Sequence, residues 1–324
     1  MMHLKDDWKD PKEFAATRDG FGTGVVEAGE KDSRVVVLCA DLAESTRAES
    51  FKSKFLDRYI EMGVAEQNMA AVAAGLARYG KIPFINSYAA FNPGRNNEQI
   101  RTTIAIPNLP VIIAGMHAGV SVGPDGATHQ ALEDIALMRV LPHMTVIVPA
   151  DSEEARKATL AAAALGSPAY LRFAREKSPV FTTRETPFAI GKANVLRRSD
   201  TPKVALIACG PLVHRAMLAA ELLEAKGIGS IVVNNHTVKP MDDALIIAIA
   251  KEVGVVVTIE EHQIMGGMGS AVAELLARES PVPIEFIGVK DQFGQSGTPE
   301  ELIAHYEMDV PSIMKAAEKV IARK

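Results

Sequence analysis

Residues 123–130 read Gly-Pro-Asp-Gly-Ala-Thr-His-Gln and place an acid, a hydroxyl and an imidazole in one short segment. They follow an apolar run, residues 111–115, that is typical of a buried strand. Asp125 and His129 can bind hydroxyl groups or transfer protons, and the two glycines let a backbone approach a ligand closely. A tight turn with a structural histidine is the alternative interpretation.

A second candidate acid begins a helix. Glu66 precedes turns built almost entirely of alanine and glycine, at residues 70–75. Such small side chains allow another backbone or a flat ring to pack against the helix. The alternative is a first-turn glutamate whose only role is to stabilise the helix through its dipole.

Aromatic and acidic residues also follow two other predicted strands. Tyr88 and Phe91 stand three residues apart in a chain with few aromatics, and together they offer a stacking surface for a ring. Burial of both rings in the core is an equally good interpretation. Asp41 follows the apolar run 35–38, where a turn or cap residue is the ordinary interpretation.

Composition restricts the class of function. The 324 residues suffice for about two domains, and 48% hydrophobic with 23% charged residues is typical of a soluble enzyme. A net charge of −5 argues against nucleic acid as a partner. Cys39 and Cys209 lie in apolar runs, which predicts buried thiols and no metal site. The sequence shows no signal peptide or membrane-spanning run, so we expect a cytoplasmic protein without a membrane partner.

The elements that position these residues form two α/β cycles. Short β-branched runs alternate with Ala-rich helical patterns, which predicts two domains, each a mostly parallel sheet flanked by helices. The predicted strands are 35–38, 82–85, 111–114, 144–148, 204–208, 230–233, 255–259 and 284–289. The predicted helices are 66–79, 97–106, 152–164, 214–225, 242–251, 270–277 and 312–323. A polar linker at 179–186 divides domains 1–185 and 186–324, and the charged residues 5–11 are expected to order only on contact with a partner.

These segments, in this order and spacing, resemble the transketolase superfamily of thiamine-diphosphate enzymes. Residues 18–178 resemble its pyrimidine-binding domain and 190–324 its C-terminal domain, with 260–269 similar to that domain's glycine turn. Family members hold the diphosphate and Mg²⁺ through a Gly-Asp-Gly motif and a downstream asparagine in a separate N-terminal domain. Here Asp125-Gly126 lacks that asparagine. The resemblance therefore implies the C-terminal subunit of a split transketolase, with Mg²⁺ held by an N-terminal partner subunit and an α2β2 assembly.

The resemblance also implies a role for each candidate residue. Glu66 matches the glutamate that hydrogen-bonds the cofactor pyrimidine, and Phe91, helped by Tyr88, matches the aromatics that stack on it. The other matches are Asp41 and Leu42 for cofactor contact, His129, Asp125 and His117 for the donor sugar, and Arg18, Ser45 and Arg175 for the substrate phosphate. Glu66, His129 and His117 are the implied catalytic residues. Gly94 replaces a further aromatic that many full-length members carry, and this changes the shape of the site beside the stacking aromatics.

Three other interpretations stay open. Deoxyxylulose-phosphate synthases share the loop around Asp125, but they usually carry Asp-Arg where this chain has Met116-His117. The β subunits of 2-oxo-acid dehydrogenases are also separate chains, yet they do not usually keep both His117 and the full 125–130 loop. A non-catalytic homologous subunit would have no need for Glu66 and both histidines together. Transfer of a two-carbon ketol unit between sugar phosphates is thus the favoured function.

Overall fold

Strands and helices alternate through the first half of the computed structural model, which describes residues 3–324. The elements are β1 (Phe14–Ala16), α1 (Thr17–Lys31), β2 (Val35–Cys39), α2 (Ala48–Lys54), β3 (Tyr59–Glu61), α3 (Glu66–Arg78), β4 (Ile82–Tyr88), α4 (Asn97–Gln99), β5 (Ile112–Met116), α5 (Asp134–Arg139), β6 (Thr145–Ile147), α6 (Ser152–Ala163), β7 (Ala169–Arg172) and β8 (Lys177–Pro179). Helix α4 runs on into a π-helix, Ile100–Ala105, and a 3₁₀ segment occupies Val120–Asp125.

The second half repeats the alternation. Its elements are β9 (Asn194–Arg198), β10 (Pro202–Ala208), α7 (Leu212–Ala225), β11 (Gly229–Asn234), β12 (Thr237–Lys239), α8 (Asp243–Val253), β13 (Val256–Gln263), α9 (Met268–Glu279), β14 (Ile284–Val289), α10 (Pro299–His305) and α11 (Val310–Ile321). Between residues 3 and 324, none of these helices combines the length and apolarity needed to cross a bilayer.

Two large sheets and one small ribbon organise these strands. The first sheet has seven strands in the order β12-β6-β7-β5-β4-β2-β3, and the second has five in the order β14-β13-β10-β11-β9. All neighbours are parallel except the edge strands β12 and β9, while β1 and β8 form an antiparallel pair. Strands such as β2 and β5 are buried along their whole length, which explains their continuous apolar sequences. The predicted fold class is confirmed.

Strand β12 crosses the division expected at 185/186. Its residues Thr237 and Lys239 pair with Ile147 and Val146 of β6, so the C-terminal region (residues 186–324) completes the first sheet. The backbone N–H of Val148 also donates to the carbonyl of His236 at 2.8 Å. Three residues, of which only Val238 is apolar, carry too weak a pattern to be recognised in the sequence as a strand.

The segment 179–186, expected to be a polar linker, is hydrogen-bonded to the first domain and packed into the core of the C-terminal region. The side chain of Phe181 is fully buried, and the backbone N–H groups of Phe181 and Thr182 donate to the Asp151 carboxylate at 2.9 and 2.7 Å. Asp151 also caps α6 through the N–H of Glu154, as the sequence predicts. One buried carboxylate therefore joins a helix start to the chain that leaves the domain.

The charged N-terminal segment, expected to order only on contact with a partner, packs on its own chain. The Lys5 N–H donates to the Phe181 carbonyl at 2.9 Å. Trp8 packs against the core of the C-terminal region, and its carbonyl lies 2.8 Å from Nε2 of His214. Partial burial of the indole supplies a local reason for order that the charge pattern does not reveal.

Helix α1 is absent from the sequence prediction because its glycines oppose helix formation. The structure gives two of them a packing reason. A Cβ at Gly20 would overlap the carbonyl oxygen of Ser152 and lie 3.0 Å from the Cβ of Ala155, and one at Gly24 would lie 2.8 Å from the carbonyl oxygen of Arg156. Tight contact between α1 and α6 therefore compensates for the low helix propensity.

We expect Gly20→Ala to lower the free energy of unfolding by about 1–3 kcal/mol, the usual cost of overpacking. Gly75→Ala is the matched control, because Gly75 lies in α3, where an added Cβ would meet no atom within 4 Å. That substitution should stabilise the chain by about 0.5–1 kcal/mol through helix propensity. Urea unfolding of the isolated chain measures both. Equal effects of the two alanines would contradict the packing explanation.

Candidate active site

The candidate residues lie along one edge of the seven-stranded sheet. Strands β7, β5, β4, β2 and β3 are consecutive parallel neighbours, so the loops at their carboxyl ends leave the sheet on the same side. The residues at these ends are Asp41, Leu42 and Ser45 after β2, Glu66 after β3, Tyr88 and Phe91 at the end of β4, His117, Asp125 and His129 after β5, and Arg175 after β7. Arg18, at the start of α1, joins them through contacts described below.

Glu66 is a buried carboxylate at the first position of α3. Its Oε2 accepts a hydrogen bond from Nη1 of Arg95 at 2.8 Å, and its backbone carbonyl accepts one from Asn96 at 3.1 Å. The Arg95 guanidinium also lies over the Phe91 ring, 4.6 Å from its centroid. The carboxylate predicted from the sequence is thus paired with a cation that also covers the predicted stacking surface.

Four rings form a continuous aromatic cluster beside Glu66. Tyr88 stacks on His117 with centroids 4.0 Å apart and an interplanar angle of 18°, and Tyr88 and Phe91 are 6.1 Å apart at 26°. The His129 imidazole meets Phe91 edge-on at 5.5 Å. Both Tyr88 and Phe91 are half-buried, so they combine the core and binding-surface interpretations that the sequence left open.

His117 is held as a neutral imidazole. Burial is the main cause that lowers its pKa from 6.5 to about 3, and the nearby charges of Arg18 and Arg175 lower it further. Nη1 of Arg18 lies 2.8 Å from Nε2, and because arginine only donates, Nε2 accepts and the ring proton is on Nδ1. Nδ1 is buried without a hydrogen-bond partner among residues 3–324. That N–H can serve a ligand.

Positive charge concentrates on the other side of His117. Burial and the repulsion of Arg47 and Arg175 lower the pKa of Arg18, although Asp19 opposes this effect. Nη1 of Arg18 donates to the Ser45 carbonyl at 2.9 Å, and Nη1 of Arg175 donates to the Val122 carbonyl at 2.7 Å. Guanidinium groups held close enough to repel one another form a site suited to an anion such as a phosphate.

The remaining candidates lie at the borders of this group. Asp125 is exposed on the loop after β5, with Oδ1 3.6 Å from Nη1 of Arg175. The backbone N–H of Asp41 donates to Glu61 at 2.8 Å, and Leu42 packs against the core of the first domain. Asp41 and His117 have positive φ values of 57° and 54°, a backbone conformation that often accompanies a functional site.

Two arginines near the site were not among the residues predicted from the sequence. Arg95 directly follows Gly94, but the spacing gave no indication that it would reach Glu66, 29 residues away. Arg47 forms an ion pair at 2.7 Å with Asp19, which lies beside Arg18 on α1. Arginine is common on surfaces, so the only available signal was its position just after a predicted strand-end segment.

The side chains that gather here suit a flat heteroaromatic ring. A buried carboxylate beside half-buried aromatic faces can hydrogen-bond a ring nitrogen while the ring stacks. Within the part of the chain that the structure describes, no three His, Cys, Asp or Glu side chains cluster as metal ligands would. The pyrimidine end of thiamine diphosphate fits this set.

The low pKa of His117 gives a testable pH dependence. Between about pH 6.5 and pH 3 the unfolded chain binds a proton at His117 that the folded chain does not, so acidification lowers the free energy of unfolding. We expect His117→Asn to weaken this dependence by up to about 1.4 kcal/mol per pH unit. His143→Asn is the control, because His143 also has a positive φ, 67°, but is exposed. Urea titrations at several pH values measure how the free energy of unfolding changes with pH. The assignment would be contradicted if both variants keep the pH dependence of the wild type.

Comparison with known proteins adds independent findings. The family profile "Transketolase, pyrimidine binding domain" matches residues 14–180, and "Transketolase, C-terminal domain" matches residues 191–313. A 6-deoxy-6-sulfo-D-fructose transketolase subunit of Clostridium sp. is 39% identical over 95% of this chain and 95% of its own length. Human transketolase is 34% identical over 95% of this chain, which spans 49% of the human protein.

A solved structure described as "Split gene transketolase, inactive beta4 tetramer" has the same fold over nearly the whole chain. The TM-score is 0.88 with 42% sequence identity, and the match covers 95% of this chain and 98% of the other. The resemblance stated from the sequence motifs is therefore confirmed. Since both halves match transketolase profiles and the identity extends over almost the full length, the chain belongs to the transketolase family.

Proposed function

We propose that this chain is the C-terminal subunit of a split transketolase. With an N-terminal partner subunit it transfers a two-carbon ketol unit from a ketose phosphate to an aldose phosphate, using thiamine diphosphate. In this proposal the pyrimidine-binding domain is 1–185 and the C-terminal domain 186–324. Mg²⁺ and the cofactor diphosphate are held by the partner, since acidic ligands for a metal do not cluster among residues 3–324.

One observation carries the proposal: a buried carboxylate, a stacked aromatic cluster and a group of guanidiniums follow one another along a single sheet edge. Glu66 and Phe91 are linked through Arg95, Tyr88 stacks on His117, and His117 contacts Arg18. This order matches a cofactor with its bound substrate, in which an aromatic ring lies at one end and an anionic group at the other. A subunit that serves only as a scaffold would not need a carboxylate, aromatic rings and guanidinium groups in this order.

Thiamine diphosphate, when bound, supplies the electron sink that a carbon–carbon bond needs to break beside a carbonyl. Glu66 is the residue that would hold a proton shared with the pyrimidine, because its carboxylate is shielded from water at the start of α3. Arg95 pairs with the carboxylate at 2.8 Å and balances its charge. Tyr88 and Phe91 would orient the ring by stacking.

Three polar residues would bind the sugar. His117 offers a neutral Nδ1–H, which can donate to a hydroxyl or carbonyl oxygen without carrying a charge. His129 is half-buried against Phe91, with Nδ1 2.9 Å from the Thr128 hydroxyl, and Asp125 can accept from a hydroxyl. Arg18, Ser45 and Arg175 would grip the terminal phosphate, and Asp41 and Leu42 would contact the cofactor.

The proposed assembly places each active site between different subunits, in an α2β2 complex. A similar split transketolase subunit forms an inactive tetramer on its own, which suggests that this chain also self-associates. The apolar side chain of Val64, two residues before α3 and Glu66, is strongly exposed in the single chain. Exposed apolar groups beside the site are what a subunit that awaits a partner would present.

We expect the purified chain to show no ketol transfer by itself and to gain it when the N-terminal subunit is added. The chain alone would lack the groups that hold the cofactor diphosphate and the metal. Release of aldose phosphate from a ketose phosphate donor measures the activity, with thiamine diphosphate, Mg²⁺ and a second aldose phosphate present to accept the ketol unit. Full turnover by the chain without a second polypeptide would refute the split-subunit proposal.

In the reconstituted complex, Glu66→Gln should reduce turnover by at least about 10²-fold, the scale of a positioned proton-transfer group. The amide keeps the shape and an oxygen for Arg95, so the fold should survive. Glu49→Gln, an exposed glutamate in the first turn of α2, is the matched control and should have normal activity. Hydrogen–deuterium exchange at the cofactor C2 is the direct readout, and unchanged exchange in E66Q would remove Glu66 from this role.

A further inference from the structure

The loop after β5, residues 117–130, carries three of the proposed sugar-binding side chains but has little regular structure. It contains three glycines with positive φ, Gly119, Gly123 and Gly126, which leave its backbone free to take many conformations when unfolded. Asp125 is exposed, and its ion pair with Arg175 is 3.6 Å long. The position of these side chains therefore depends on whatever holds the loop backbone.

A carboxylate from the C-terminal region holds the start of this loop. Glu261 lies in β13, is buried, and its Oε1 accepts a hydrogen bond from the backbone N–H of Ser121 at 2.6 Å. Burial raises the pKa of Glu261, and the Arg172 charge and the Ser121 N–H oppose this rise. A Cβ at Gly119 would overlap this carboxylate and lie 2.9 Å from its Cγ, so glycine is required for the approach.

The end of the loop is held from the same region. The side-chain amide of Gln130 donates to the carbonyls of Val120 and Gly123, at 3.1 and 3.2 Å, and to that of Gln295 at 3.0 Å. Gln295 lies between β14 and α10, in the C-terminal region. Gln130 thus joins the end of the loop to its middle, and it also joins the loop to the segment between β14 and α10.

We propose that the C-terminal region positions the sugar-binding loop and that Glu261 is its principal positioning residue. The inference rests on the proposed function for the identity of the ligand, a polyhydroxylated sugar phosphate. Glu261 does not itself reach the sugar. It fixes the Ser121 backbone, and through the 3₁₀ turn that follows it sets where Asp125 and His129 meet the substrate hydroxyls.

Glu261→Ala in the reconstituted complex tests this directly. The variant leaves the buried Ser121 N–H without an acceptor, so we expect KM for the ketose phosphate to rise about 10-fold or more, while kcat changes less. Glu261→Gln keeps an acceptor oxygen at the same reach and should restore most of the affinity. Neither variant should alter hydrogen–deuterium exchange at the cofactor C2, which reports on Glu66.

Glu260→Ala is the matched control. Glu260 is also a buried glutamate on β13, but its carboxylate accepts from the N–H groups of Met268 and Gly269, at 2.7 and 2.8 Å, at the start of α9. Its removal should cost comparable stability without raising KM. Equal increases of KM in E260A and E261A would mean that Glu261 is merely structural, and an unchanged KM in E261A would overturn the proposal.

A second measurement is independent of catalysis. In the isolated chain, amide hydrogen exchange at residues 119–126 should become faster in E261A and remain as in wild type in E260A. If the wild-type complex transfers no ketol unit, the proposed function fails while this exchange still decides the positioning role. Should E261A not fold, Gly119→Ala displaces the same carboxylate from the loop side, and unchanged exchange at Ser121 in that variant would refute the contact's importance.

Discussion

The buried guanidinium of Arg172, at the end of β7, is the interaction that links the sheet, the loop and the C-terminal region. Its Nε donates to Asp134 at 2.7 Å, and its Nη2 donates to the carbonyls of Ala131 and Glu261 at 3.3 and 2.8 Å. Burial opposes ionisation of Asp134, but the Arg172 charge and the hydrogen bonds outweigh it, so the pKa of Asp134 is lowered. Loss of either charge would leave the other unpaired, at a cost of about 3–5 kcal/mol. The position of Glu261, and hence of the loop it holds, depends on this pair.

The strands and several candidate site residues could be proposed from the sequence because their signals are local. Buried parallel strands are continuous apolar runs, so residues 35–38 and 111–114 predict β2 and β5 closely. Chemistry in this fold class is found just after such strands, and therefore Asp125, His129 and Glu66 could be proposed from neighbouring residues alone. Their grouping into one site was implied by the resemblance of these segments to the transketolase superfamily.

Features that depend on distant contacts could not be predicted. Helix α1 is stabilised by glycine contacts with α6, which is more than a hundred residues away in sequence, so its own composition argues against it. The pairing of Arg95 with Glu66 and of Glu261 with Ser121 joins segments whose relation is set only by the finished fold. The N-terminal segment and residues 179–186 are polar in sequence, yet Trp8 and Phe181 pack them against the core.

Strand β12 couples the unfolding of the two halves of the chain. It belongs to the C-terminal region but pairs with β6, so removal of that region exposes the backbone groups of Val146 and Ile147. Because the two regions share one sheet, unfolding of either region breaks backbone hydrogen bonds of the other. A fragment that ended at residue 185 would carry an open apolar sheet edge, which is the kind of surface that recruits strands from other chains.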